Sequence, residues 1–489
     1  MFSYFSHLLS MISFICKISV LAGVPVMLFG AQSVSAQTTD IDAAVEAARK
    51  APRNQGLNLA AANALKDAGR FAESIPYYMK GGNAGNLGAA EAAYYLYDFD
   101  AARTYIDKYI EKRTAAEAAK DTNYTYGLNT EPVDWAEYLS GRIDIGRSML
   151  DRVEKIQIID SVNVPASEFF DFIKIARSAG SLQSEEVVER VINDAELDRL
   201  GLSDIVAPAY VTENGDDMIW VGGDADGATA MFESSRLSDG SWDTPQRLFD
   251  YASVFGNTNG AGVAYPFLMA DGVTLYFAAD GEESLGNLDI FISRRDEDGF
   301  LQPSNIGMPY NSPYNDYLYA VDEQNGIGWW ATDRNGIPDM VTVYTFIPQE
   351  FRNNYAADTP GLADYAKVSS IADTWAPGAD YSDLRRRIER VAEARRQSPV
   401  KDFDFAMPDG RVLHRLSDFR SAMARTAMQN YLKEKSAMEK SAAELEALRR
   451  RYASGDHSVA SEILKTERRI ESDRKSLLDL SNQVVNMEQ

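Results

Sequence analysis

Cysteine and histidine are almost missing from this chain. Its 489 residues include one cysteine and three histidines. Cys16 lies in the apolar N-terminus, preceded by Ile15 where a lipoprotein signal needs a small residue. Once that segment is removed, disulfides, thiolate metal sites and cysteine nucleophiles are excluded by composition. Only His414 and His457 then remain, too few for a His-rich metal centre. A Ser-His-Asp triad would have to use His414, and no G-x-S-x-G elbow accompanies it. P-loop and dinucleotide fingerprints are also missing. Asp224-Ala225-Asp226-Gly227 lacks the ligand spacing of a calcium loop and reads as a hairpin turn. No cofactor and no metal are therefore expected. Positive charge is scarce too: 49 Lys and Arg stand against 73 Asp and Glu, a net charge of −24. Such a surface repels nucleic acid and anionic membranes.

Long apolar runs are nearly lacking as well. The exception is residues 18–31, which follow Lys17 and are long enough for a signal-peptide core but short for a membrane span. Val34 and Ala36 suit the −3 and −1 positions, so cleavage after Ala36 and export are expected; the alternative is an uncleaved N-terminal anchor. The predicted location is periplasmic or outer-membrane-associated, with no transmembrane helix after cleavage.

What is present is a repeat. A turn at Asp271-Gly272 leads into LYFAAD (275–280), a loop, LDIFISRR (288–295) and a second turn at Asp298-Gly299. The order recurs downstream with Asn325-Gly326, GWWATD (328–333), Asn335-Gly336 and a strand over 340–344. It recurs upstream with IWVGGD (219–224), TAMFESSR (229–236) and Asp239-Gly240. Asp224, Asp280 and Asp333 mark a period of about fifty residues, the spacing of propeller blades of four strands each. One blade leaves its faces uncovered, so the copies must stack. These residues resemble the TolB-type, WD40-like propeller repeat, whose hallmark is matched by Asp271-Gly272, Leu275-Tyr276-Phe277, Asp280 and Asp289-Ile290-Phe291-Ile292-Ser293. The resemblance implies a propeller-like fold and turn-fixing hydrogen bonds for Asp280, Asp289 and Asp333. Three copies are fewer than a closed ring needs, so other segments supply blades or the ring is completed differently. The early strand around Ile156 and a late hairpin, FDFAMPDGRVLHRL with its turn at Asp409-Gly410, are candidates for an additional blade.

The flanks are helical. Ala61, Leu65, Gly69, Phe71, Ser74, Ile75 and Tyr78 follow the order of a tetratricopeptide unit, and Phe99 and Ala102 repeat Phe71 and Ser74 at a shorter spacing. The segment 382–397 reads as an arginine-rich amphipathic helix. At the C-terminus Ala424, Tyr431, Met438, Leu445 and Tyr452 recur by sevens, as do Ile463, Ile470, Leu477 and Val484 after a break at Ser454-Gly455-Asp456. The fold class is thus α+β multidomain: a signal peptide (1–36), N-terminal α-helical repeats (37–154), a domain of all-β propeller-like blades with a helical insert and linker (155–416) and a C-terminal antiparallel coiled-coil hairpin (417–489). Tetratricopeptide-like repeats joined to TolB-type blades also resemble Bacteroidetes-type cell-envelope proteins, without their OmpA-like domain.

Two functional readings follow. One is a non-catalytic exported scaffold that binds envelope proteins, or itself, through the helical repeats and the arm. In that reading Leu432, Leu448, Leu464 and Leu478 widen the apolar face of the arm and dock the partner. The other is a carbohydrate-binding or carbohydrate-active propeller using carboxylates and loop aromatics at its mouth. Tyr310, Asn311, Tyr314 and Asn315, in one Pro-containing loop, are its candidate binding residues, with loop packing as the alternative for Tyr310 and Tyr314. Alternation places only one of Trp329 and Trp330 inward. N-terminal sequencing of the protein recovered from its native cells is expected to read from Gln37; an intact Met1 overturns export.

Overall fold

The computed structural model describes residues 34–122, 133–167, 169–173, 175–225, 227–238, 241–249, 254–255, 262–376, 378–386, 388, 403, 405–408, 411–413, 415–453 and 457–488. The signal-peptide core, His414, the turns at Asp239-Gly240 and Asp409-Gly410 and most of the arginine-rich helix lie outside the described residues. The fold is a mixture of helices and antiparallel sheets. No described helix is long and apolar enough to cross a membrane.

Among the described residues seven helices come first: α1 (Val34–Lys50), α2 (Gln55–Asp67), α3 (Phe71–Tyr78), α4 (Asn83–Tyr95), α5 (Phe99–Lys112), α6 (Ala115–Asp121) and α7 (Trp135–Leu150). Asn54, Asp98, Thr114 and Asp134 start four of them by accepting first-turn N–H groups, which would otherwise lack partners. Close packing rests on small residues. Ala89, Ala90, Ala92 and Ala93 of α4 are buried, and a Cβ on Gly88 would lie 2.2 Å from the Tyr78 ring. The repeated Phe99 packs with Ile106, Tyr109, Leu139 and Ile143.

Three antiparallel sheets follow. The first runs β2-β3-β4-β5-β6, comprising Ser181–Gln183, Asp204–Val211, Asp217–Gly223, Thr229–Ser235 and Gln246–Arg247. The second runs β10-β9-β8-β7, with β7 Val263–Leu268, β8 Thr274–Ala279, β9 Asp289–Asp296 and β10 Gly299–Phe300, while β11 (Ser304–Asn305) also pairs with β9. The third joins β12 (Asp316–Asp322), β13 (Ile327–Thr332) and β14 (Met340–Ile347) to the early strand β1 (Gln157–Pro165). The hairpin turns are built as their residues require. Asp271 Oδ1 accepts the N–H groups of Val273 and Thr274 at 2.8 and 2.9 Å, and Gly272 takes φ +67°, a region glycine enters without steric cost.

Both faces of the third sheet are buried, which corrects the expectation for its tryptophans. Trp329 and Trp330 point to opposite faces, yet both are buried. Trp329 joins the core shared by all three sheets. Trp330 stacks on Tyr344 at 4.4 Å in a second cluster with Ile156, Tyr310 and Phe346. The inner core is closed by a short turn, Phe169–Phe172: the Phe169 ring lies 6.0 Å from Tyr265 and 6.1 Å from Tyr317, bridging the second and third sheets.

The early strand and the late hairpin do not form an additional blade. β1 pairs with β14 and completes the third sheet. Its outer edge is covered in turn by the connector that follows β14, where Trp375 Nε1 donates to Ile158 O at 2.7 Å and the Ile158 N–H to Thr374 Oγ1 at 3.0 Å. The late hairpin, β15 (Phe405–Ala406) with β16 (Val412–Leu413), buries Phe405 and Leu413 against the C-terminal helices instead. Although expected with the sheet segment in sequence, it packs with the arm. After the short helices α8 (Glu185–Glu189), α9 (Asp194–Leu200) and α10 (Leu362–Lys367), the arm consists of α11 (Ala422–Ala453) and α12 (Ala460–Glu488). Arg449–Glu467 and Arg469–Glu444 pairs cross between them. Glu488 accepts the N–H groups of Arg420 and Ser421, both at 3.0 Å, so the two helices run antiparallel. At 32 residues, α11 extends about 48 Å.

Phe277 and Phe291 are register partners on β8 and β9 and are almost fully buried. Phe277→Ala is expected to lower stability by about 3–5 kcal/mol in urea unfolding; an unchanged midpoint rules out this packing.

Candidate functional site

A cluster of buried polar groups lies where the loops before β9 and β12 meet α4 and α7. Each loop is tied down by the aspartate that opens the following strand. Asp289 accepts the N–H groups of Leu285 and Gly286, each at 2.8 Å, and Asn305 Nδ2 at 2.7 Å. Asp316 accepts Ser312 N–H at 2.7 Å and Ser312 Oγ–H at 2.9 Å, and pairs with Arg334 at 2.9 Å. Burial pushes the Asp289 carboxyl up to about 6 against the pull of these donors. Burial drives Asp316 upward as well, opposed by the Arg334 guanidinium, which the same carboxylate keeps charged.

Arg334 is the hub of this layer. Besides Asp316 it donates to Pro309 O at 2.8 Å and Tyr310 O at 2.6 Å, so one planar fork holds the loop to the strand end. The neighbouring Asp333, at the repeat position after β13, accepts Asn315 N–H and Nδ2 at 2.8 Å each and the Tyr317 hydroxyl at 2.7 Å. The corresponding Asp224 accepts Ala228 N–H at 2.8 Å, while Asp280 faces Arg142 of α7 at 3.8 Å.

The helical array covers these loops. The Tyr94 hydroxyl donates to Leu285 O, the Tyr95 ring meets Tyr314 at 5.0 Å, and Leu285 and Met308 enter the helical core. Arg142 lies 4.8 Å over the Tyr138 ring beside Asp280. Tyr97 is buried within electrostatic reach of Arg334 and Asp316. It has φ +62° just past the end of α4, a site that normally takes glycine. The strain is tolerated because the ring fills the junction against Phe99.

The four loop residues expected to bind a ligand are brought together, but the side-chain polar atoms of Tyr310, Asn311 and Asn315 are occupied within the protein. Tyr310 is buried edge-on to Tyr319 and Trp330 at 5.1 and 5.4 Å, with its hydroxyl on Glu154 at 3.5 Å. Asn311 is fully buried: its Oδ1 accepts Ile290 N–H at 2.7 Å and its Nδ2 donates to Ile290 O at 2.9 Å, serving as a strand partner. Asn315 is held by Asp333, and Tyr314 packs on Tyr95. The arm leucines differ in exposure. Leu448 is buried in the arm, Leu432 and Leu478 are half-buried, and Leu464 is 56% exposed.

Sequence reasoning missed Arg334, Arg142 and Tyr97; a tyrosine where a helix end calls for glycine was the available signal for the last. Among the described residues no group of three His, Cys, Asp or Glu is placed to hold a metal, and His457 rests against Tyr452 at 4.7 Å. No family model, curated protein or solved structure matches this chain. Arg334→Ala leaves Asp316 buried without its cation and two carbonyls without a donor. The expected loss is about 3–5 kcal/mol in chemical denaturation; a loss below 1 kcal/mol, the order of an exposed pair, contradicts the hub assignment.

Proposed function

We propose that this chain is a non-catalytic, exported scaffold of a bacterial cell envelope, in which tetratricopeptide-like helices, TolB-type propeller-like blades and a coiled-coil arm present surfaces to protein partners. The observation that carries this reading is the covered loop end. An enzyme or lectin of propeller form needs its carboxylates and aromatics facing an open mouth. Here Asp289, Asp316 and Asp333 bind backbone and side-chain donors of their own loops, and α4 and α7 lie over those loops. Phe169, Tyr265 and Tyr317 fill the space between the inner strands. The partner is an envelope protein or a second copy of the chain, met through the helical repeats or the arm.

The test is made on tagged, full-length protein in its native envelope. Chemical crosslinking is expected to join a defined protein, or a second copy, to peptides from α1–α6 or from α11 and α12. Saturable binding on a glycan array, or release of reducing sugar from a polysaccharide, would favour the carbohydrate reading and overturn this one.

A further inference from the structure

The negative charge of this chain is unevenly spread. Residues 155–348, which hold the three sheets, carry 32 Asp and Glu against 10 Lys and Arg, whereas residues 417–489, the arm and its lead-in, carry 12 against 13. The sheets thus account for nearly all of the net −24 and the arm for none of it.

Much of that acid gathers at one end of the sheets. Paired strands alternate in direction, so the turns from β3 to β4, β7 to β8, β9 to β10 and β12 to β13 lie opposite the loops that the helical array covers. All three sheets share this turn end. Tyr210, near the close of β3, meets Phe267, near the close of β7, at 5.3 Å, and Tyr276, near the start of β8, is within electrostatic reach of both Asp271 and Glu323. Glu213, Asp216, Asp296, Glu297, Asp298 and Glu323 are exposed on these turns. Leu237, Val273 and Leu301 stand beside them, 45%, 38% and 50% exposed. Backbone bonds fix them there: Arg236 N–H donates to Asp216 O, Arg295 N–H to Val273 O and Leu301 N–H to Arg294 O. The turn end therefore offers apolar side chains ringed by carboxylates.

The arm carries the complementary chemistry. It is fastened to the body partway along its length, where Glu186 of α8 accepts Lys435 Nζ at 2.5 Å and the Tyr431 hydroxyl at 3.1 Å. Arg190 adds a bond to Ser481 Oγ at 2.8 Å and lies 4.3 Å over the Phe405 ring. Lys435, an interruption in an apolar seam when read as sequence, is thus a handle on an acidic body. Past Lys435, α11 runs on for about 27 Å to Ala453. In this outer part residues 449–469 hold six Lys and Arg against three Asp and Glu. Arg449 and Arg469 pair across the hairpin with Glu467 and Glu444. Lys465 and Arg468 are exposed on one side of α12 with Leu464, which is 56% exposed, and Tyr452 is exposed at the end of α11.

We propose, building on the scaffold reading above, that the outer arm around Leu464, Lys465 and Arg468 docks on the acidic turn end of a second copy of this chain. Within one molecule the arm is held on α8 while both patches are exposed, so a contact between them joins two molecules. Cations then meet carboxylates, and Leu464 shares the contact with the apolar side chains of the turns. At physiological salt, screening over about 8 Å leaves the touching patches, rather than the like net charges of the two copies, to decide the contact. The two surfaces differ, so the contact is heterologous and adds copies head to tail.

Sedimentation and light scattering on purified full-length protein test this. At about 0.15 M salt the mass is expected to rise with concentration, and about 0.5 M salt should weaken the association about tenfold. K465E/R468E on the arm and E297K/E323K on the turns should each weaken it about a hundredfold, because like charges then face one another, with an unchanged melting temperature. An equimolar mixture of the two variants should form dimers and nothing larger, since one intact arm then meets one intact turn end. The docking is overturned by a monomer at every concentration, by assembly that survives either variant, or by a mixture that stays monomeric. A monomer that co-purifies with a basic protein, lost in E297K/E323K, also overturns it and gives the turn end to that protein. None of these results touches the scaffold reading, which falls only to glycan binding or sugar release.

Discussion

A sheet with two apolar faces cannot leave either of them in water. That constraint governs the middle of this protein. The strand β13 carries Trp329 to one side and Trp330 to the other, and both are buried; at about 25 cal/mol per Å² of apolar surface, exposing either face would forfeit several kcal/mol. Three sheets cover one another on their inner faces, but three do not close a ring. The remaining surface is covered by segments of other kinds: the Phe169 turn at the centre, the connector against β1 and the helical array over the loop ends.

Covering the loop ends brings a second requirement. Strand-opening aspartates removed from water need donors, and each loop supplies them from its own backbone. Arg334 joins the system by bonding a carboxylate and two carbonyls at once. The outcome is a rigid platform whose polar groups are turned inward, and the same residues that look reactive in a sequence act as fasteners. Glu185 is an exception, buried with neither carboxyl oxygen bonded to another residue.

Much of the architecture was legible because its causes are local. Asp271-Gly272 specifies a turn through one side chain and one positive φ, and strand alternation requires only neighbours along the chain. The seven-residue spacing of Ala424, Tyr431 and Met438 likewise marks a helix face. The candidate site was less legible. Tyr310, Asn311, Tyr314 and Asn315 were correctly grouped on one loop, but whether a loop tyrosine faces water or Trp330 depends on what lies above it. Lys435 was visible as an oddity in the seam, while its partner Glu186 lies far away in sequence.

By itself, then, the sequence determined the element types, the threefold repeat with its Asp-Gly turns, the helical flanks and the scarcity of metal-binding and nucleophilic side chains, since each depends on residue chemistry and short-range geometry. Only the tertiary structure decided that β1 completes the third sheet and that the late hairpin joins the arm. It also decided that the loop carboxylates are covered and that Lys435 meets Glu186. Those outcomes rest on which surfaces exclude water from one another, and such contacts join residues separated by hundreds of positions, as Ile158 with Trp375 shows.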